Sequence, residues 1–119
     1  MSMISSTQCL LLGSVLAFSM VAGVHGATPA PEGASVYFIT PTDGQTVSSP
    51  VTVRFGLDGL GVAPAGVERK GTGHHHLLVD VDDLPSMDQP VPSDERHIHF
   101  GGGQTQTSLE LSPGAHTLL

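Results

Sequence analysis

At 119 residues the chain has room for one small domain. Its formal charge of −7, with four basic side chains, speaks against nucleic acid or anionic lipid as partner, because too few cations are present to neutralise phosphates. With Cys9 as the one cysteine, an internal disulfide and a thiolate zinc cluster are excluded.

From Cys9 to Val24 the chain reads CLLLGSVLAFSMVAGV, without a charge. That run is shorter than the roughly twenty apolar residues that span a bilayer. It suits the apolar region of a secretory signal peptide, with small residues after it for cleavage near Gly26 or Ala27. Residues 1–27 are therefore read as a signal peptide, and the mature chain as periplasmic or secreted, without thiol or membrane span. MSMISSTQ supplies no Lys or Arg, so an uncleaved N-terminal anchor is the alternative. All the charge falls after Pro31, where a solvated acidic surface is the plain reading and attraction of cations the second.

Residues 28–35, rich in Pro, Ala and Gly, read as a linker. VYFIT (Val36–Thr40) is a short strand ended by the turn cluster PTDGQ. In SPVTVRFGLDG, Val51, Val53, Phe55 and Leu57 share one face, and Thr52, Arg54, Gly56 and Asp58 the other, the period of a half-buried strand. A long Gly- and Pro-containing loop follows, then a strand from about His74 to Asp82. Pro85, Pro90 and Pro92 break the next stretch. HIHF is a brief strand, QTQTSLEL alternates again, and HTLL begins another strand. Short strands between turns, with no amphipathic helix, predict an all-β domain over residues 36–119, a small antiparallel immunoglobulin-like β-sandwich. The sequence stops within an apparent strand, so the domain is expected to lack its last strand or strands and to leave a sheet edge exposed.

GTGHHHLLVDVDD and HIHF carry the chemistry. An internal, patterned run is not a purification tag. Leu77, Val79 and Val81 set an inward face that His75 shares, which sends His74 and His76 outward with Leu78, Asp80 and Asp82. Ile98 and Phe100 point inward, which sends His97 and His99 outward. If the two strands are neighbours, His74, His76, His97 and His99 converge, with His75 and His116 as secondary candidates. Imidazoles without thiolate suit copper(II), zinc, nickel or iron(II), copper or zinc first. Met87 is a possible soft ligand, and Asp80, Asp82 or Asp94 can ligate or orient the imidazoles. The plain alternative is that these histidines satisfy loop carbonyls. A Ser/His/Asp site drawn from Ser86, Ser93 and Asp94 is a weak signal, so the reading leans away from an enzyme. The runs Gly71–Gly73 and Gly101–Gly103 lack a strand-to-helix junction and read as bends beside a crowded site. Arg54 and Arg96 read as surface partners of the acidic loop.

The blocks GTGHHHLLVDVDDLP and DQPVPSDERHIHFGGGQTQTSLELSPGAHTLL, with VYFITPTDGQTVSSPVTVRFGLDG before them, resemble the bacterial exported family of domain of unknown function 4399 (DUF4399). The resemblance covers Val36 to Leu119 and implies an exported single domain without an established activity. It also implies a further histidine segment of GDHNH type after HTL, before which this sequence ends. Two functions stand side by side. One is an exported β-sandwich that binds copper or zinc through paired histidines. The other is a cell-envelope interaction or structural module whose histidines are structural or pH-responsive.

Overall fold

The computed structural model describes residues 28–119, and the expected signal peptide lies outside the described residues. Seven strands follow in chain order: β1 (Ser35–Thr40), β2 (Val51–Asp58), β3 (Gly61–Val62), β4 (Thr72–Gly73), β5 (His76–Leu78), β6 (His97–His99) and β7 (Gln106–Leu109). The described residues contain strands and turns without a helix, which is the all-β class the alternation predicted. No helix among them is long and apolar enough to cross a membrane.

Strand β2 is the spine. Its β-branched and aromatic positions Val51, Val53 and Phe55 are buried, while Thr52 and Arg54 between them are exposed. It pairs antiparallel with β1 on one side and with β7 on the other. Opposite its inner face stand Leu77 within β5, Val79 just after it, and Phe100 just after β6; together with β2 they form the buried core. Phe38, Ile98, Leu109, Leu111 and Leu118 pack around that cluster. The core is thus a layer between β1–β2–β7 and the antiparallel pair β5–β6. Val53 and Leu77 are wholly buried, and each such side chain contributes about 1.5–3 kcal/mol over an exposed one.

Phe55 is the hub. Its ring lies 6.3 Å from that of Phe38, 5.0 Å from Phe100 and 4.8 Å from the imidazole of His75. The predicted turn at Asp43-Gly44 forms, with Gln45 N–H donating to the Thr42 carbonyl at 3.0 Å and Gly44 at φ 72°.

Four local expectations change. Gly56, read as facing solvent, is buried, because the Tyr37 ring opposite it in the register lies where a Cβ would stand. The loop before the histidines carries a parallel pair, Gly61 opposite Thr72 and Val62 opposite Gly73, too short and glycine-rich to show a period. The histidine strand is shorter than His74–Asp82 at both ends. It begins at His76, after His74 and His75, and stops before Asp82, because Asp80 takes a left-handed φ of 54° that the pleat cannot continue. Leu78 is buried at 5 % exposure on the face read as outward, so that face is partly covered.

Candidate metal centre

The core sets the parity of the histidine run. His75 is 5 % exposed and stacks on Phe55, so it sits inside with Leu77 as the alternation predicted. That parity turns His74 and His76 to the other face. Strands β5 and β6 are neighbours, with His76 opposite His99, Leu77 opposite Ile98 and Leu78 opposite His97. The Phe100 N–H donates to the His75 carbonyl at 3.0 Å, and Val79 N–H to the Arg96 carbonyl at 2.9 Å. The ladder's bonds therefore fall on odd-numbered residues on the β5 side and on the even-numbered residues opposite them. His76 and His99 form a pair without mutual backbone bonds, the kind in which opposed side chains come closest.

The three rings pack as a cluster. His76 and His99 are stacked at 4.7 Å with 16° between planes, and His74 lies 4.9 Å from His76 and 4.7 Å from His99. One ring nitrogen from each lies within 4.8 Å of the others, close enough to hold one metal ion. The Nε2 atoms of His74 and His76 are 3.1 Å apart. Two nitrogens bound at about 2.0–2.1 Å to a tetrahedral ion stand roughly 3.3 Å apart. Very little movement separates the pair from that geometry.

Electrostatics favour the neutral rings that a metal requires. Burial lowers the pKa of His74, and the nearby charge of His99 adds to it. Burial likewise lowers that of His76, followed by the charges of His74 and His99. The Nδ1 of His76 is buried without a partner, so the acceptor that usually fixes a ligating imidazole is missing at this ring. A metal held by this ring would lack the outer hydrogen bond that tightens such a ligand.

The other candidates go elsewhere. His97 shares the strand and face of His99, yet its Nδ1 meets the Asp94 carboxylate at 2.8 Å, and it stands outside the three-ring cluster. Asp94 also accepts from the backbone N–H groups of Arg96 and His97, at 2.8 and 2.9 Å, and these bonds, the His97 ring first, hold its carboxyl below the usual range. His116 faces two acceptors, Asp80 Oδ2 and the Ser112 carbonyl, each at 2.8 Å. Both its nitrogens donate when it is charged, and neither then offers a lone pair. The Nε2 of His75 is buried without a partner; burial, then the charge of His74, lowers its pKa.

Met87 is 82 % exposed and outside the cluster. The Ser86 hydroxyl donates to Asp88, its near neighbour in sequence. Arg96 turns its Nε to the Val79 carbonyl at 3.3 Å, where its charge helps to lower the pKa of Asp80. One wall of the site was not legible in the sequence: the Ala65 N–H donates to the Gly101 carbonyl at 2.8 Å, which brings the β3–β4 loop beside His99. No period or motif marks that contact.

No curated protein and no solved structure matches the chain. Residues 53–119, more than half of the chain and including every histidine of the cluster, match the model of a family described as a domain of unknown function, DUF4399. The chain belongs to the DUF4399 family.

Proposed function

We propose that this domain binds one divalent transition-metal ion, copper(II) or zinc, through His74, His76 and His99, and serves in metal handling outside the cytoplasm. The supporting observation is the approach of three imidazole nitrogens to within 4.8 Å, His76 and His99 facing each other on paired strands and His74 just before β5. Three imidazoles without a thiolate are a donor set for copper(II) or zinc rather than for calcium or magnesium. The unpartnered Nδ1 of His76 fits a site that takes up and releases its ion better than a permanent structural one. The apolar segment from Cys9 to Val24 supports export.

A second reading has its own observation. At 3.1 Å, the Nε2 atoms of His74 and His76 can satisfy each other through one hydrogen bond, with no ion needed. On that reading the rings are structural, and the domain is an interaction module of the cell envelope. Elemental analysis of untagged protein, purified without an immobilised-metal column, separates the two. Copurifying copper or zinc that leaves with chelator supports the first. Metal-free protein whose affinity for added zinc and copper(II) is weaker than about 100 μM overturns it.

A further inference from the structure

We propose that Gly101 is a positioning residue for the metal cluster: its missing Cβ makes the space in which the His99 imidazole reaches His74 and His76. The inference rests on the metal reading for its purpose, and on geometry for its substance. Continued past β6, the β5–β6 register sets Gly101 opposite His74. A Cβ at Gly101 would stand 2.9 Å from Cε1 and 3.2 Å from Nε2 of His99, with the Ala65 Cβ at 3.4 Å also near it. The backbone has little freedom to retreat. Its carbonyl accepts from Ala65 N–H at 2.8 Å, and the preceding Phe100 N–H is bonded to His75. The imidazole is the part that must move.

The three consecutive glycines answer different demands. Gly103 has a φ of 80°, a left-handed backbone that favours glycine, and its N–H closes a turn onto the Phe100 carbonyl at 3.1 Å. The atoms nearest a Cβ at Gly102 belong to the flexible end of Gln104, at 3.0 Å or beyond. Gly101 is outside the left-handed set, so its backbone does not ask for glycine. Room for a ring is the requirement that remains. Displacing His99 costs the fold little, because a side-chain end swings away, but it separates one donor from the other two.

The test compares Gly101→Ala with Gly102→Ala in the full chain. Zinc affinity, by calorimetry, is expected to fall about 10–100-fold in Gly101→Ala, the range seen when support around a metal ligand is lost. It is expected to stay unchanged in Gly102→Ala. In metal-free protein, ring-to-ring nuclear Overhauser signals from His99 to His74 and His76 should vanish in Gly101→Ala and persist in Gly102→Ala. Any loss of melting temperature in Gly101→Ala should disappear in a His99→Ala background, where no ring is in the way. Ring-to-ring signals that persist in Gly101→Ala overturn the proposal. If those signals vanish in Gly101→Ala while the wild type binds no zinc, the metal reading falls and the positioning role stands.

Discussion

His76 and His99 face each other across two antiparallel strands, their rings stacked 4.7 Å apart. Because the pair is directly opposed, an ion held by it and by His74 staples β5 to β6 at the edge of the core. A ligand bound to the native state alone stabilises by about 2.7 kcal/mol at a hundredfold excess over its Kd. For a domain of this size that corresponds to a rise of roughly 10–20 °C in melting temperature. Thermal denaturation with zinc and then with chelator should show the rise and its reversal. Equal melting temperatures at saturating zinc would show that the ion does not join the strands.

Protons compete with the metal for the same lone pairs. The pKa values of His74 and His76 are both lowered from 6.5, so these rings are neutral at pH 7. Zinc affinity should hold between pH 7 and 8 and weaken as pH falls below about 6.5. Calorimetric titrations at several pH values check this. An affinity that rises on acidification would point to carboxylate or nonspecific binding.

His75 is the histidine of the run that stands outside the cluster. Its buried Nε2 lacks a partner, a state that costs about 1–3 kcal/mol, and its ring stacks on Phe55. His75→Phe removes the orphaned nitrogen and keeps an aromatic ring against Phe55. The variant should melt at the wild-type temperature or up to about 8 °C higher, with zinc affinity unchanged. A large drop in stability would mean that the imidazole has a role in the core beyond packing.

The Asp80–His116 contact ties residues 112–119 to the end of β5. Oδ2 of Asp80 meets the ring at 2.8 Å, and Oδ1 accepts from Thr117 N–H at 2.9 Å. The bond to Asp80, then that to the Ser112 carbonyl, raises the pKa of His116, while the His116 and Thr117 bonds lower that of Asp80. A raised histidine pKa stabilises fully below about 6.5 and loses that effect as pH rises through the folded value. A lowered aspartate pKa stabilises above about 3.9 and loses its effect as pH falls through the folded value. The contact is therefore strongest between these limits. An NMR titration should find His116 above 6.5 and shifted back down in Asp80→Asn; a wild-type value at or below 6.5 would contradict the pairing.

Much of the site is legible before folding because strand alternation is a rigid rule. Leu77 and Val79 fix the parity of His75, and hence the outward turn of His74 and His76. Ile98 and Phe100 do the same for His99. The approach of His99 to His74 and His76 depends on strand adjacency, which no spacing reveals and which the His76–His99 register supplies. The place of His97 is not legible either, because it depends on a turn in which Asp94 binds both backbone and ring. Asp80 looks like any strand residue until its φ of 54° ends the pleat. The two-residue pair β3–β4 is too short to carry a period, although its loop walls the site.

The central claim is that His74, His76 and His99 together hold one ion. Its most direct measurement is calorimetric titration of zinc into untagged, metal-free protein, beside His76→Ala, His99→Ala and His116→Ala. One zinc per chain is predicted for the wild type and for His116→Ala, with the affinity of each of the other two reduced at least tenfold. Binding that survives both His76→Ala and His99→Ala at wild-type strength would contradict the account.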